Sequence, residues 1–182
     1  MYDVNLMPDI PKLGDLSPID FNVVREMNEK KEGKRKKKYL LILPCSKRKK
    51  RISNAYAINV YDGPFYRVVR KNRPENLDIL ILSAKYGLIR YNERISYYDQ
   101  IMTVRRSEEL VNAVYIKLKG ILKINHYDHI FINLGKTYLL ALEKSKNILS
   151  GYNVYWANGH IGERLHQLKN WLKSIGAEVE GN

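Results

Sequence analysis

Three apolar segments of the sequence are each followed by small polar residues and a lysine. These residue types could perform chemistry together, and they occur in the following stretches: Pro44-Cys45-Ser46-Lys47, Ser83-Ala84-Lys85-Tyr86-Gly87 and Asn133-Leu134-Gly135-Lys136-Thr137-Tyr138. Backbone N–H groups in glycine-containing turns bind anions, and lysines add positive charge. The three stretches therefore predict a pocket for an anionic or polar ligand.

The predicted ligand contacts come from these stretches and from two further segments, 91–100 and 158–162. They are hydroxyl, amide, amine or aromatic side chains, together with glycines that let a ligand approach the backbone: Ser46, Lys47, Ser83, Tyr86, Tyr98, Asn133, Gly135, Tyr138 and Gly159. Tyr97 and Tyr98 could stack on splayed bases, or they could pack their loop against the body.

Three residues are candidates for catalysis. Lys85 could act as a nucleophile or as a phosphate clamp, and Asp99 as an acid or base. Cys45 is a candidate nucleophile, although a cysteine beside a buried strand is commonly an inert core thiol. Gly135-Lys136-Thr137 resembles the end of a P-loop, but Ile130 stands where the first glycine of that motif belongs.

A layered α/β fold would position these residues. Strands are predicted at 39–43, 78–82, 130–134 and 153–156, and the first three are apolar nearly throughout, as buried parallel strands are. Helices are predicted over 65–71, 107–124, 136–149 and 160–175, the second of them capped by Ser107. We expect a central, mostly parallel sheet of about four or more strands flanked by helices.

Positive charge is concentrated around the first strand. Residues 30–51 contain twelve Lys or Arg and one Glu, which gives +11 of the chain's formal +13. A nucleic acid is the polyanion that such clusters commonly bind. The cations predicted to contact it are the following: Lys34, Arg35, Lys36, Lys37, Lys38, Arg48, Lys49, Lys50, Arg51, Arg67 and Arg70. Alternatively, the run at 34–38 is a solvated linker.

Composition indicates how the chain is organised and argues against a membrane-spanning, disulfide-bonded or zinc-binding protein. The sequence predicts an N-terminal arm with a short helix and a basic linker at 1–38, followed by an α/β domain at 39–182. We expect no membrane span, because no run of about 18 residues is apolar. A single cysteine fits a cytoplasmic protein without disulfides. The four histidines and this cysteine lack the spacing of zinc ligands, so neither a metal nor a cofactor is predicted.

Several of these motifs, taken in order, resemble a YaaA-related family with CSK and SAKYGL signatures. The matching stretches are LILPCSK at 41–47, YDGPFYR at 61–67, ILSAKYGLI at 81–89, SYYDQIM at 96–102, FINLGKTY at 131–138 and NGHIGERLHQL at 158–168. The family is distantly related to the peroxide-stress protein YaaA and to the PCS-motif domain of archaeosine synthase. The resemblance implies DNA binding under oxidative stress, or modification of a tRNA base.

Three functional hypotheses follow from these observations. The first is a nucleic-acid-binding protein, with DNA favoured over RNA, whose base- or nucleotide-sized pocket acts on damaged or modified bases in repair or base processing. Its chemistry would be that of a glycosylase or lyase, or of a base-modifying enzyme such as a tRNA-modifying relative of archaeosine synthase. The second is a non-enzymatic binder that protects DNA. The third is an enzyme that acts on a free nucleotide or another phosphorylated metabolite.

Overall fold

The computed structural model describes residues 36–180 and shows the predicted α/β architecture. The strands are β1 (Tyr39–Pro44), β2 (Ala55–Tyr56), β3 (Leu77–Ser83), β4 (Gly87–Arg90), β5 (Arg94–Ile95), β6 (His129–Ile132) and β7 (Val154–Trp156). The central sheet has the order β4-β3-β1-β6-β7 and is parallel except for β4. The fold expected from the sequence is therefore confirmed, and β2 and β5 form a separate antiparallel pair.

The central strand β1 is buried along its whole length. Its Tyr39 pairs with Leu77 of β3 on one side and with His129 of β6 on the other. Successive side chains of a strand point to opposite faces, so a strand inside a two-faced core must be apolar at every position. The continuous apolar run in the sequence reflects this burial.

Helices cover both faces of the sheet. They are α1 (Ala57–Val60), α2 (Pro64–Asn72), α3 (Val104–Ile124), α4 (Lys136–Leu139), a 3₁₀ segment (Leu140–Ser145), α5 (Lys146–Leu149) and α6 (Ile161–Glu180). The helices α1, α2 and α6 pack with Leu41 and Leu43 on one face. The helix α3 and the 3₁₀ segment pack with Leu40 and Ile42 on the other face.

Two helix predictions were wrong in detail. Helix α3 begins at Val104, and its N-cap is Thr103, whose hydroxyl accepts a hydrogen bond from the backbone N–H of Arg106 at 3.1 Å. Ser107, the predicted cap, is buried inside the helix and donates to the carbonyl of Thr137 at 2.7 Å. The predicted helix 136–149 is broken into α4, the 3₁₀ segment and α5, because Ala141 and Leu142 turn inward and pack against α3.

The end of the basic linker is attached to the body. The Lys38 ammonium lies 2.9 Å from the carboxylate of Asp78, and it also donates to the Asn125 side chain at 2.9 Å. Lys38 was predicted to bind nucleic acid, but its charge is engaged in this structural pair. The predicted arm, the predicted short helix, Lys34 and Arg35 lie outside the described residues. Within residues 36–180, no helix combines the length and the apolar character needed to cross a membrane.

Candidate functional site

The three stretches singled out in the sequence lie side by side at one edge of the sheet. Strand β1 lies between β3 and β6 and runs parallel to both, so the carboxyl ends of these strands are neighbours. The backbone N–H of Cys45 donates to the carbonyl of Leu82, and that of Asn133 to the carbonyl of Ile42, each at 2.9 Å. Ligands bind at this edge in open α/β sheets.

A cavity of about 470 Å³ opens at the end of β1. Its walls come from the loop after β1, the start of α2, the turn before α4 and the start of α6. The lining residues are Pro44, Cys45, Ser46, Lys47, Arg48, Asp62, Gly63, Pro64, Phe65, Tyr66, Arg67, Gly135, Tyr138, Ile161 and Arg164. This volume lies in the range of small-molecule and cofactor sites.

The loop after β1 is held against the start of α2. Ser46 donates its hydroxyl hydrogen to the carbonyl of Arg48 and accepts a bond from the backbone N–H of Asp62 at 3.1 Å. The hydroxyl of Tyr66 donates to the carbonyl of Pro44 at 2.8 Å. Ser46, predicted as a ligand contact, therefore lines the cavity and also fixes the shape of its rim.

A single carboxylate organises three arginines beside the cavity. Asp62 lies 3.1 Å from Arg48 and 3.4 Å from both Arg67 and Arg70. The hydrogen bond from Arg67 and the charges of the three guanidinium groups hold the pKa of Asp62 below its usual range. Arg70 also donates to the carbonyls of Ile58 and Tyr61, at 2.8 and 2.9 Å, and so joins α2 to the end of α1, while its predicted contact with nucleic acid stays a prediction.

Arg164 of α6 is a cavity residue that the sequence reasoning did not identify. Its guanidinium carbon lies 5.5 Å from the centre of the Phe65 ring, and one of its terminal nitrogens lies 3.5 Å from the amide oxygen of Asn133. Burial lowers the pKa of Arg164. The available signal was its position between Ile161 and Leu168 on the apolar face of α6, where a cation is unusual.

Two buried donors beside this cavity lack partners within the described part of the chain. They are the Nε group of Arg164 and the side-chain amide nitrogen of Asn133, whose residue is fully buried. A buried donor without an acceptor costs free energy, so such groups commonly mark the place of a bound ligand or water. Asn133 was predicted as a ligand contact, but its side chain lies behind the cavity wall and does not line the cavity, whereas Arg164 does.

Cys45 and Tyr138 contact each other in the cavity wall. The Cys45 sulfur lies 3.3 Å from the Tyr138 hydroxyl, which also lies 3.4 Å from the Cys45 carbonyl oxygen. Cys45 is buried, with 7 % of its surface exposed. Burial raises the pKa of Tyr138, so its hydroxyl stays protonated at neutral pH and can donate a hydrogen bond.

Ser83 and Tyr98 belong to a buried hydroxyl cluster with Tyr61. The Tyr98 hydroxyl lies 2.8 Å from the Ser83 hydroxyl and 2.9 Å from that of Tyr61. Burial raises the pKa of Tyr61 to about 12 and also raises that of Tyr98. Neither Ser83 nor Tyr98 lines the cavity, and buried Tyr98 has no free face for a base.

Two of the predicted catalytic residues lie away from the cavity lining. Lys85 is exposed, with its ammonium 5.2 Å from the ring centre of Tyr86 and 5.9 Å from that of Tyr98. Asp99 is exposed as well. The structure thus brings Cys45, Lys47, Gly135 and Tyr138 together in one cavity and leaves Lys85 and Asp99 outside it.

Gly159 precedes α6 and adopts a φ of +85°. A side chain there would also collide with the carboxylate of Glu163, which accepts a bond from the backbone N–H of His160. This contact is the second half of a capping box, so Gly159 and His160 shape the start of α6. Among the described residues, no group of three or more His, Cys, Asp or Glu could hold a metal ion.

The fold and the site define an α/β protein with a cation-lined cavity at the carboxyl end of its central strand. Residues 40–170 match a family of unknown function (DUF6884), and the chain belongs to that family. No curated protein matches it. A similar solved structure is that of AF0587, a protein of unknown function, with 16 % identity and a TM-score of 0.48. The match covers 75 % of this chain and 45 % of that one.

Proposed function

We propose that this protein binds nucleic acid and holds one nucleotide in the cavity at the end of β1. The observation that carries the proposal is the lining itself: a nucleotide-sized cavity with cationic and aromatic side chains around one opening. The cations are Lys47, Arg48, Arg67 and Arg164, and the aromatic residues are Phe65, Tyr66 and Tyr138. The resemblance to YaaA-related proteins favours DNA as the polymer.

The phosphate part of the ligand would lie against the arginines. Among the described residues, Asp62 is the acidic side chain in the cavity lining, and three guanidinium groups already surround it. Cations therefore outnumber the carboxylate, which favours an anion. Arginine also suits phosphate geometrically, because its planar group can donate two parallel hydrogen bonds.

The base part of the ligand would lie deeper, near Phe65 and Arg164. Phe65 is buried like Tyr98 and forms an apolar wall, whereas the half-buried Tyr138 ring and the Arg164 guanidinium offer flat surfaces on which a base can stack. The guanidinium of Arg164, which lines the cavity, would donate to the carbonyl or ring nitrogen acceptors of a base. This arrangement discriminates against an apolar ligand, because such a ligand would cover the cation without offering an acceptor.

Equilibrium binding of labelled DNA and RNA oligonucleotides, measured by fluorescence anisotropy, tests the proposal. We expect salt-sensitive binding, and we expect Arg164→Ala to weaken it roughly tenfold, because a hydrogen bond to a charged group contributes about 1.5–3 kcal/mol. The matched control is Lys169→Ala, which removes one exposed cation from the same helix. Equal affinities for the two variants, or no binding by the wild type, would refute the proposal.

A base-modifying enzyme is the second candidate, and the contact between Cys45 and Tyr138 favours it. A thiol next to a protonated phenol in a ligand cavity could serve as a nucleophile with a nearby proton donor. Oligonucleotides with a panel of damaged or modified bases should then yield product. Cys45→Ala should abolish the product while binding persists. The same panel tests Lys85→Ala and Asp99→Asn, since the catalytic roles predicted for Lys85 and Asp99 stay predictions.

Binding without product on any substrate would favour the non-enzymatic alternative, a protein that protects DNA. Product formed from tRNA alone would favour the tRNA-modifying alternative. Thermal stabilisation by a free nucleotide, without any affinity for the polymer, would favour the metabolite enzyme.

A further inference from the structure

The small sheet formed by β2 and β5, together with the residues that follow β5, carries exposed tyrosines with cations next to them. The Arg51 guanidinium lies 5.7 Å from the ring centre of Tyr97, and that of Arg94 lies 4.8 Å from the ring centre of Tyr56. Tyr97 is 37 % exposed and Tyr56 is 46 % exposed. Exposed aromatic rings among cations are the elements of a surface that binds single-stranded nucleic acid.

These side chains belong to one continuous ribbon. Tyr56 pairs with Arg94 across the two strands, and the Arg94 side chain donates to the carbonyl of Asn54 at 2.7 Å. At the other end, the backbone N–H of Tyr97 donates to the carbonyl of Ile52 at 2.9 Å. Tyr97 follows the end of β5 by two residues, and its ring lies beside Arg51 of the basic segment.

The ribbon is joined to the cavity by a basic segment of backbone, residues 48–51. Arg48 lines the cavity, and its carbonyl accepts a bond from the backbone N–H of Asp62 at 3.0 Å. Lys49 then forms a β-bridge with Tyr61, and the backbone N–H of Lys50 donates to the carbonyl of Val60 at 2.8 Å. Arg51 precedes Ile52, to which Tyr97 is hydrogen-bonded, so the basic segment connects the cavity to the exposed tyrosine along the backbone.

We infer that the nucleic acid approaches as a single strand along this surface. Its phosphates follow the cations at 48–51, its unpaired bases stack on Tyr97 and Tyr56, and the next nucleotide enters the cavity. The inference rests on the proposed function and adds to it the strandedness of the ligand and the path that it takes. A duplex keeps its bases stacked inside, so it could not use the two ring faces.

The test uses the full chain with a labelled single-stranded oligothymidylate and a duplex of equal length. Wild type is expected to bind the single strand more tightly. Tyr97→Ala and Tyr56→Ala should each weaken that binding roughly tenfold, because stacking on one aromatic ring contributes about 1–3 kcal/mol per base. Tyr97→Phe retains the ring and should bind like wild type.

Tyr115→Ala is the matched control. Tyr115 also lies beside cations, with Lys144 at 5.0 Å and Lys119 at 5.6 Å from its ring centre, but it belongs to α3 on the other face of the sheet. If Tyr97→Ala and Tyr56→Ala bind no more weakly than Tyr115→Ala, or if wild type prefers the duplex, the path is wrong while the proposed function stands. If the wild type binds neither the single strand nor the duplex, both the inferred path and the proposed function fail. Circular dichroism melting curves establish that each variant is folded.

Discussion

Gly63 and Ser46 approach each other so closely that residue 63 has no room for a side chain. A Cβ atom on Gly63 would lie 2.9 Å from the Cβ atom of Ser46. The backbone at Gly63 has a φ of −100°, which any residue can adopt, so the requirement for glycine is purely one of space. This contact sets the distance between the loop after β1 and the start of α2, and both line the cavity.

Gly63→Ala is therefore expected to destabilise the protein and to deform the cavity. Forcing a methyl group into this contact should lower the free energy of unfolding by about 1–3 kcal/mol. Gly162→Ala is the control, because nothing lies within 4 Å of its added Cβ atom. That substitution should leave stability unchanged or raise it by up to about 1 kcal/mol. Urea unfolding curves of the two variants decide the point, and similar midpoints would contradict the expectation.

Alkaline pH should weaken the fold through Tyr61. Burial raises the pKa of Tyr61 to about 12, against an ordinary value of 10.0 in the unfolded chain. The stabilising contribution is therefore fully present below pH 10 and is lost as the pH rises toward 12. At 1.36 kcal/mol per pKa unit, the loss amounts to about 3 kcal/mol.

Tyr61→Phe isolates this effect from the other tyrosines. At about pH 9 the variant should be less stable by roughly 1 kcal/mol, because it lacks the hydrogen bond between Tyr61 and Tyr98. At about pH 11 the gap should close, since the phenylalanine has no proton to lose. Urea midpoints at the two pH values measure the difference, and a gap of constant size would show that Tyr61 does not titrate in this range.

Acid pH should weaken the fold through Asp78. Burial alone would raise its pKa, but the hydrogen bonds from Tyr127 and Lys38 outweigh that and hold it below the ordinary value of 3.8. The contribution of this carboxylate is present above pH 3.8 and is lost as the pH falls through the lowered value. Asp78→Asn should thus cost about 1–2 kcal/mol near neutral pH and progressively less in acid.

Asp99→Asn makes the same chemical change on an exposed carboxylate and serves as the control for Asp78→Asn. Its effect on unfolding should stay within about 0.5 kcal/mol at neutral pH. Chemical unfolding at neutral pH and at about pH 3 provides the comparison. An Asp78 variant as stable as the control at neutral pH would refute the role of the Lys38 pair.

The start of α3 at Val104, with Thr103 as its N-cap, can be tested by mutation. Thr103→Ala removes the acceptor for the backbone N–H of Arg106 and should destabilise the protein by about 1 kcal/mol. Thr103→Ser keeps a hydroxyl at the same place and should restore most of that stability. Thermal melting of the two variants is sufficient, and identical melting temperatures would contradict the capping role.

The buried strands were predictable because their burial leaves a direct mark in the sequence. Burial on both faces favours apolar residues at nearly every position, so β1, β3 and β6 are visible as apolar runs, interrupted in β3 by Asp78. The strands β2 and β5 have two residues each, too few for any period. The break in the helix predicted at 136–149 comes from packing against α3, which local pattern does not encode.

The ends of β1 and β6 predicted part of the site, whereas Ser83 and Lys85 at the end of β3 lie outside the cavity lining. Cys45, Lys47 and Tyr138 follow recognisable strands, and all three line the cavity. Arg164 reaches the cavity because α6 passes close to Gly135, where a Cβ atom would lie 3.6 Å from the Arg164 guanidinium. That approach depends on the tertiary position of α6. The burial of Tyr98 also depends on tertiary packing, since its neighbour Tyr97 is exposed.

The floor and the rim of the cavity come from parts of the chain that differ sharply in burial. The floor is the end of β1, which is buried at every position, whereas Lys47, Arg48 and Arg67 on the rim are exposed. Arg48 and Arg67 pair with Asp62, but ion pairs of exposed side chains usually contribute no more than about 1 kcal/mol to stability. Evolution can therefore exchange the rim cations, and with them the preferred ligand, at little risk to folding. Members of this family could thus diverge in ligand preference while retaining the same sheet.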